Sequence, residues 1–239
     1  MENLRRILGQ IRRAADDYGL IDNNDRIAVG ISGGKDSLTL LAALCELRKF
    51  YPKSFEVRGI IIDNGFPNSD FSPILGFGDT LSVKIDVIPT DIYKIVFELK
   101  KEKNPCSLCA RMRRGAIYTA AEAAHCNKLA LGHHFDDVVE TFMLRLFNEG
   151  MLASFAPLTT LDGRKLTLIR PLIYTHEKDI RYFVSKTPLP IIKSPCPADK
   201  HTEREEMKRL LAKLERENRG LKHRIFGAMC KSGIEGFHE

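Results

Sequence analysis

"RIAVGISGGKDSLTLLAAL", residues 26–44, joins an apolar run to a second apolar stretch through a serine, a glycine pair and a lysine. The first run is typical of a buried parallel strand, and the second has the apolar spacing of a helix. A glycine turn between a strand and a helix lets backbone N–H groups approach an anion at the positive end of the helix. The stretch therefore predicts a strand, a phosphate-binding loop and a helix.

The spacing within this loop excludes the commonest phosphate-binding motif. A Walker A loop has four residues between its glycines and a hydroxyl residue after its lysine. Here three residues separate Gly30 from Gly34, and Asp36 follows Lys35. The Gly-x-Gly-x-x-Gly dinucleotide pattern is absent too. A plain glycine turn is the alternative, but such turns rarely carry two serines and a lysine, so we predict a phosphate site of another class.

Further apolar runs alternate with sequence that is compatible with helices. The runs cover residues 57–65, 83–89, 128–133 and 165–173, with a short one within 189–200. This alternation predicts an α/β fold, a doubly wound, Rossmann-like parallel sheet with flanking helices. Ligands bind beyond the carboxyl ends of such strands. Residues 32–37, 63–65 and 132–137 should therefore converge.

Composition describes an ordinary globular chain with a moderate basic excess. Lys and Arg number 37 against 31 Asp and Glu, which gives a net charge of +6 and fits a polyanionic partner such as nucleic acid. No apolar run approaches the roughly 18 residues of a membrane span. The amphipathic N-terminus predicts a helix, not a targeting peptide. Six cysteines without a secretory signal favour a reducing, cytoplasmic setting.

Three motifs occur in a fixed order: "SGGKDS" at 32–37, "CSLCARMRRGAIY" at 106–118 and "LGHHFDDVVETFMLRLF" at 131–147. Together they resemble the PP-loop ATP pyrophosphatase superfamily and, within it, the tRNA 2-thiocytidine synthetase (TtcA) branch. The resemblance implies a sheet of the adenine nucleotide alpha hydrolase type. Its loop holds the β- and γ-phosphates of ATP, which leave as pyrophosphate when the α-phosphate is attacked.

The sequence pattern predicts a division of the chain into three parts. Residues 1–25 would be an N-terminal helix, and 26–195 the PP-loop ATP-binding and catalytic domain. Residues 196–239 would be a cysteine loop with a charged helical tail, whose helical pattern covers 201–231.

The activity implied is that of an ATP-dependent tRNA sulfurtransferase. Such an enzyme adenylates a pyrimidine carbonyl, here that of cytidine 32 in the tRNA anticodon loop, and replaces the oxygen with sulfur carried on a 4Fe–4S cluster. The implied cofactors are ATP, Mg²⁺ and the cluster. The implied partners are tRNA and a sulfur donor, either a cysteine desulfurase or inorganic sulfide. No membrane association is expected, and the sequence leaves open whether the chain forms a homodimer.

The resemblance assigns site residues by position. Lys35, Asp137 and three cysteines would be catalytic, and the cysteines would also hold the metal cluster: Cys106, Cys109 and Cys196. The residues that would bind the nucleotide are Gly30, Ile31, Ser32, Gly33, Gly34, Lys35, Asp36, Ser37, Ile62, Asp63, Arg113 and Gly132. Asp136, beside Asp137, is the alternative acid, or else a helix cap.

Other interpretations of the same residues stay open at this point. The cysteines could form a structural zinc site, with His125 or Cys126 as the fourth ligand that closed zinc sites require. A PP-loop ligase that delivers nitrogen, of the lysidine-synthetase or amidating type, would need no cluster, so the cysteines count against it. A non-catalytic, zinc-stabilised RNA-binding module would need no complete "SGGKDS".

Overall fold

A computed structural model of the chain describes residues 4–100, 105–193, 195–196 and 203–238. The strands are β1 (Asp25–Ile31), β2 (Phe55–Asp63), β3 (Ile85–Pro89), β4 (Lys128–Ala130), β5 (Leu158–Thr160) and β6 (Thr167–Ile169). The first helices are α1 (Arg5–Asp17), α2 (Lys35–Leu47), α3 (Ser72–Thr80) and α4 (Pro105–Ala123). The later helices are α5 (Phe135–Glu149), α6 (Glu177–Lys186), α7 (Glu203–Glu217) and α8 (Leu221–Lys231). A π-helix, Lys94–Leu99, precedes α4.

The strands form one six-stranded sheet in the order β3-β2-β1-β4-β6-β5. Every neighbouring pair is parallel except β5 and β6, which are antiparallel at one edge. The strand order reverses direction at β1, which lies between β2 and β4. The predicted doubly wound α/β fold is therefore confirmed, and its topological switch point lies where β1 ends, at the glycine loop.

Helices cover both faces of the sheet. On one face, α2 packs on β1 and β2, and α1 and α6 pack in turn against α2. Nearly every residue of α2 from Ser37 to Leu47 is buried, as expected for a helix between a sheet and two further helices. On the other face α4 packs on β2 and β4. This sandwich fixes the carboxyl ends of β1 and β4 beside the first turns of α2 and α5.

One prediction about the C-terminal part was wrong. No strand forms in the described part of residues 189–196, where the Ile192 N–H donates to the Gly33 carbonyl (3.0 Å) instead of joining the sheet. The charged tail is helical, and Gly220, in a left-handed conformation with φ of 80°, divides it into α7 and α8. The antiparallel strand β5 and helix α3 were not predicted at all.

Within the described ranges, no helix is long and apolar enough to span a bilayer.

Candidate functional site

The glycine loop joins β1 to α2 and is held in shape by its own serines. The Ser37 hydroxyl donates to the Gly34 carbonyl (3.0 Å) and accepts from the Ser32 backbone N–H (3.2 Å). The Gly34 N–H donates to the Ser32 hydroxyl at 3.3 Å. Gly33 has φ of 81°, a left-handed conformation that favours glycine. The result is a tight loop that directs backbone N–H groups and the positive end of α2 toward one point.

Gly132, just beyond the end of β4, abuts this loop. A Cβ atom at this position would lie 3.1 Å from the Ser37 nitrogen and 3.2 Å from the Asp36 carbonyl carbon. Those neighbours are backbone atoms of α2, which cannot move aside as a flexible side chain could. The approach of β4 to the loop therefore favours glycine at this position, and the predicted convergence of the two segments is observed.

Lys35 is held by two carboxylates. Its ammonium nitrogen lies 2.9 Å from each Asp36 oxygen and 3.2 Å from a Glu177 oxygen at the start of α6. Burial by itself lowers the pKa of Lys35, but the two acids outweigh burial and leave that pKa above its ordinary value. Lys35 is therefore a fixed positive charge at the mouth of the loop.

His134 and Asp137 form a reciprocal cap at the start of α5. The Asp137 carboxylate accepts from the His134 N–H (2.9 Å), and the His134 Nδ1 accepts from the Asp137 N–H (3.3 Å). Because Nδ1 is an acceptor, the proton of the neutral ring lies on Nε2. That atom is 3.8 Å from the Asp36 carboxylate, so the ring connects the two helix starts.

Arg204 of α7 neutralises Asp137. Its guanidinium donates to an Asp137 oxygen at 2.7 Å and lies 3.6 Å from a Glu140 oxygen. Glu140 is almost fully buried, and its other oxygen has no hydrogen-bond partner among the described residues. Burial, reinforced by the nearby Asp137, raises the pKa of Glu140 to about 7.

Asp136 does not cap its own helix, α5, but accepts a hydrogen bond from the first N–H of α6. Its carboxylate accepts from the Glu177 N–H (2.8 Å) at the start of α6 and from the Lys222 ammonium (2.6 Å) of α8. Burial acts to raise the pKa of Asp136, but these two donors outweigh it and hold that pKa below its ordinary value. Asp136 thus joins three helices behind the site.

Two of the three predicted cysteines share the start of α4, and the third, Cys196, is close enough to Cys109 for its charge to act on that thiol. Cys106 and Cys109 are in the first turns of α4, where Cys106 is exposed and Cys109 partly buried. Burial, followed by the charges of Cys196 and Cys106, raises the pKa of Cys109, whereas Arg113 acts to lower it. Within the described residues no three Cys, His, Asp or Glu side chains stand at the spacing of a metal site. The structure therefore brings three thiols into one neighbourhood without joining them.

Comparison with known proteins gives this site a family. A family model described as a PP-loop domain matches residues 4–215. The chain belongs to the PP-loop family.

Two curated relatives of this PP-loop protein are tRNA-cytidine(32) 2-sulfurtransferases. The one from Geobacter sulfurreducens is 39% identical, with 96% of this chain and 91% of the relative covered. The one from Geotalea daltonii is 41% identical, with 95% and 91% covered. The resemblance to this branch, seen first in three motifs, thus extends over nearly the whole chain.

Solved structures share the fold. The U34-tRNA thiolase NcsA from Methanococcus maripaludis, solved with its 4Fe–4S cluster, superposes with a TM-score of 0.77 at 24% identity. That superposition covers 96% of this chain and 80% of NcsA. The NH₃-dependent NAD synthetase from Campylobacter jejuni superposes with a TM-score of 0.53 at 14% identity, covering 100% and 96%. Both show the PP-loop type of sheet with flanking helices.

The remaining predicted residues of the PP-loop site lie around its edge. Gly30 and Ile31 end β1, and a Cβ at Gly30 would lie 2.8 Å from Ile117 of α4. Ile62 and Asp63 end β2, and the Asp63 carboxylate accepts from the Gly65 N–H (2.9 Å). Arg113 is exposed one turn before Ile117. These residues therefore lie on the carboxyl side of the sheet, where the nucleotide was expected.

The fourth zinc ligand considered from the sequence is excluded by helix length. Cys106 and Cys109 lie at the beginning of α4, whereas His125 and Cys126 follow its end. At about 1.5 Å per residue, α4 separates these two groups by roughly 25 Å. Cys126 is instead buried in the apolar cluster beneath α4. Neither residue can share a metal ion with the pair.

Three charged residues of the site were missed from the sequence: Glu177, Arg204 and Lys222. Glu177 binds Lys35, Arg181 and Lys208, and these partners outweigh the effect of burial and lower the pKa of Glu177 to about 2. Arg204 and Lys222 lie in the C-terminal helices. The sequence there is rich in charged residues, and it does not distinguish a charged side chain of the site from one that faces solvent. For Glu177 the available signal was weak, an acidic residue in the first turn of a helix.

Proposed function

We propose that this protein is an ATP-dependent tRNA sulfurtransferase that replaces the carbonyl oxygen of a tRNA cytidine, at position 32, with sulfur. One observation carries the proposal, the link between the phosphate loop and the thiols. The Ile192 N–H donates to the Gly33 carbonyl of the loop, and Cys196 follows four residues later within electrostatic reach of Cys109. Such a link suits a reaction in which one site activates the base and the adjacent site supplies sulfur.

The loop would bind ATP by its leaving group. The β- and γ-phosphates would lie against Gly33, Gly34 and the N–H groups that begin α2, with Lys35 as the counter-charge. The adenosine would lie against Ile62 and Asp63, with Gly132 beneath the α-phosphate. Phosphate oxygens would then compete with Asp36 and Glu177 for the Lys35 ammonium. The other members of the proposed nucleotide site are Gly30, Ile31, Ser32, Ser37 and Arg113.

Mg²⁺ would accompany the nucleotide. It prefers oxygen ligands and takes one or two carboxylates together with substrate phosphates. Asp137 and Asp36 offer such oxygens on either side of the His134 ring. Arg204 binds an Asp137 oxygen, so Asp137 would hold the ion in competition with this guanidinium.

The first chemical step joins the base to AMP. The carbonyl oxygen of the pyrimidine attacks the α-phosphorus, the bond to the bridging oxygen breaks, and pyrophosphate leaves with the displaced electron pair. A poor leaving oxygen thereby becomes part of AMP. In the second step sulfur bonds to the same carbon and AMP departs with that oxygen. Inorganic sulfide would supply this sulfur at the oxidation level of the product, giving up its proton as the bond to carbon forms. Sulfur from a cysteine desulfurase arrives as a persulfide and would first need a two-electron reductant, such as a pair of thiols that become a disulfide, to release it as sulfide.

Cys106, Cys109 and Cys196 would hold the 4Fe–4S cluster. The donor set fits, because thiolates are the usual ligands of such clusters and the charges of Cys106 and Cys196 both act on Cys109. When bound, a cluster with three protein ligands supplies an iron that can carry sulfur to the substrate. Arg113, whose charge acts to lower the pKa of Cys109, favours the thiolate that ligation requires.

Nucleoside analysis tests this function. Anaerobically purified, iron-loaded protein is incubated with unmodified tRNA, Mg²⁺, sulfide and ATP, and the digested nucleosides are identified by mass spectrometry. We expect 2-thiocytidine only when ATP is present, and its loss when cytidine 32 is replaced by uridine. An ATP-dependent product that gains nitrogen and no sulfur would assign the protein to the ligase class instead.

A further inference from the structure

A buried arginine without a carboxylate partner lies at the carboxyl end of β6. Arg170 directly follows that strand, and only 7% of the residue is exposed. No carboxylate of the described residues is within salt-bridge distance of its guanidinium. Buried charges in folded proteins are normally paired, because removing an unpaired charge from water is costly. Arg170 is therefore a candidate for binding an anionic ligand.

Neutral neighbours hold the guanidinium in place and use one of its nitrogens. Nη1 donates to the Ala156 carbonyl and to the Thr159 hydroxyl (3.1 Å). The guanidinium lies over the Phe155 ring, 5.0 Å from its centroid. Nε is buried and has no hydrogen-bond partner among the described residues. Nη2 has no partner there either, but it keeps some accessible surface and can therefore donate to a ligand.

The sheet register places Arg170 in line with the phosphate loop. One row across β1, β4 and β6 consists of Val29, Ala130 and Ile169. The next row is Gly30, Leu131 and Arg170, and the Arg170 N–H continues the β5-β6 ladder by donating to the Pro157 carbonyl (2.9 Å). Neighbouring strands are about 4.8 Å apart, so the Arg170 backbone is roughly 10 Å from Gly30, near the end of β1.

Arg170 is on the face of the sheet that α4 covers. Side chains two residues apart on a strand point to the same face. Leu168, two residues before Arg170, belongs with Ala121 of α4 to one buried apolar cluster. The first turns of α4 carry Cys106 and Cys109. The guanidinium therefore shares a face of the sheet with the helix that bears the thiols, at the end where the loop lies.

Acidic side chains of the two adjacent helices are bound to other cations. Glu122 of α4 accepts from Arg164 at 2.6 Å, and Asp137 of α5 accepts from Arg204 at 2.7 Å. Burial lowers the pKa of Arg170 to about 10, so its guanidinium stays charged at neutral pH. Arg170 thus offers a ligand a positive charge that no described carboxylate shares.

Strand order decides which phosphate can reach Arg170. In the proposed ATP complex the adenosine lies at the end of β2 and the pyrophosphate at the loop after β1. The strands β4 and β6 lie on the opposite side of β1 from β2. The nucleotide would therefore extend away from Arg170. The substrate RNA, which has a phosphate on either side of the reacting cytidine, is the remaining source of phosphate.

We propose that Arg170 binds, through Nη2, a phosphodiester group of the substrate RNA next to the reacting cytidine. Guanidinium groups suit phosphate oxygens in charge and in shape. Such a contact holds the RNA backbone in register without reading its sequence. The inference rests on the proposed function and adds where the RNA backbone is held.

A single neutral linkage in the RNA tests this contact. Each phosphate flanking cytidine 32 of an anticodon stem-loop is replaced in turn by methylphosphonate, and affinity is measured by fluorescence anisotropy. We expect one linkage to weaken wild-type binding about tenfold, because a charge-assisted hydrogen bond is lost. Arg170→Gln should bind the unmodified RNA about tenfold more weakly and lose nothing further at that linkage. A neutral linkage that costs both proteins equally would remove Arg170 from the contact.

The salt dependence of binding gives a second measurement. Arg170→Gln should reduce the slope of log affinity against log salt concentration by roughly 0.7 to 0.9, the contribution of one phosphate contact. A loosened fold with the same number of phosphate contacts would keep the wild-type slope. An unchanged slope would therefore contradict the contact.

Two control variants separate the charge from the packing. Arg164→Gln removes an arginine that precedes β6, at the opposite end of the strand from Arg170, and should leave both affinity and slope unchanged. Thr159→Val removes a hydrogen bond of Nη1 and leaves Nη2 intact. Its RNA affinity should stay within about twofold of the wild-type value.

Arg170→Lys is the second test variant and replaces Arg170→Gln if the latter does not fold. Lysine keeps the charge but has one terminal nitrogen, which cannot serve both the Ala156 carbonyl and a phosphate as the guanidinium does. Its salt slope should resemble that of the wild type, and the neutral linkage should cost it less. A cost equal to that in the wild type would overturn the contact.

The outcomes separate the two proposals. A wild-type protein that does not bind the unmodified stem-loop overturns the proposed function and the Arg170 contact with it. A wild-type protein that binds it, with no linkage whose cost depends on Arg170, overturns the contact alone. If Arg170→Gln binds RNA normally but ATP about tenfold more weakly, the phosphate belongs to the nucleotide and the RNA assignment is wrong.

Discussion

Lys35 is the residue on which we propose that the loop's chemistry depends, and its ammonium group is bound to Asp36 and Glu177. These acids hold it over the loop, and they would compete with a bound phosphate for it. The motif spacing identified Lys35 from the sequence. Glu177, which lies 142 positions away and binds the same nitrogen, could not be found because no local pattern links the two.

Lys35→Ala should reduce pyrophosphate release and thiolation by about a hundredfold or more, since it removes the main positive charge opposite the leaving group. Iron content should stay unchanged, because the thiols are separate from the ammonium group. Lys49→Ala is the control, as Lys49 is an exposed lysine paired with Glu46 just past the end of α2. Thiolation at the wild-type rate in Lys35→Ala would remove Lys35 from the mechanism.

The lowered pKa of Glu177 predicts that the folded protein loses stability in acid. Its pKa is lowered from 4.5 to about 2, so its stabilising contribution is complete above pH 4.5 and is lost as the pH falls toward 2. Glu177→Gln should reduce the free energy of unfolding at pH 7 by up to roughly 3 kcal/mol, and the gap to wild type should narrow below pH 4.5.

Urea unfolding at several pH values measures the effect of Glu177→Gln. The control is Glu217→Gln, at the exposed end of α7, which should follow the wild-type protein at every pH. A constant gap between Glu177→Gln and wild type from pH 7 to pH 3 would show that the carboxylate charge is not the cause.

At the scale of elements, α5 joins the site to the C-terminal helices. Its first turn holds the His134–Asp137 cap, its second turn holds Glu140, and Arg204 of α7 binds both acids. Strands and most helices could be predicted because their apolar periodicity is set locally. The apolar pair before Cys196 was mistaken for a strand, because sequence alone does not show that its N–H binds Gly33. Three-residue β5 is too short to give a pattern.

The raised pKa of Glu140 predicts that its effect on the free energy of unfolding changes with pH in the opposite direction to that of Glu177. Its pKa is raised from 4.5 to about 7, so the folded protein holds a proton that the unfolded chain releases, and stability falls as the pH rises from 4.5 to 7. Glu140→Gln should therefore stabilise the protein at pH 8, by up to roughly 3 kcal/mol, and leave it little changed at pH 4.5.

Glu149→Gln, at the exposed end of the same helix, is the control for this measurement. Its free energy of unfolding should differ from the wild-type value by the same small amount at pH 4.5 and pH 8. If Glu140→Gln destabilises the protein at pH 8, the Glu140 carboxylate is charged and stabilising there, contrary to this account.

For the whole molecule, the central feature is that segments distant in sequence meet at the carboxyl ends of the strands. The loop after β1, the start of α4, the start of α5 and the segment before Cys196 all meet there. Sheet topology made the meeting of the β1 and β4 ends predictable. The approach of Cys196 to Cys109 could be predicted only from the family resemblance. The segment before Cys196 contains no strand or helix from which its path could be deduced.

Cys196→Ser tests this long-range approach. The variant should lose most of its iron and acid-labile sulfide after anaerobic reconstitution, because it lacks one of the three proposed thiolate ligands. The control is Cys230→Ser, in α8. This variant should retain both iron and sulfide, and with them the brown colour that an iron–sulfur cluster gives a protein. Full iron and sulfide in Cys196→Ser would mean that another residue completes the site.

The most direct test of the central claim follows the oxygen that leaves the base. A tRNA carrying ¹⁸O at the carbonyl of cytidine 32 is thiolated in a single turnover with ATP, and the nucleotide products are resolved by mass spectrometry. If the carbonyl oxygen attacks the α-phosphorus, the label appears in AMP and pyrophosphate is unlabelled. Label in phosphate or water, or ADP as the nucleotide product, would contradict activation through an adenylate.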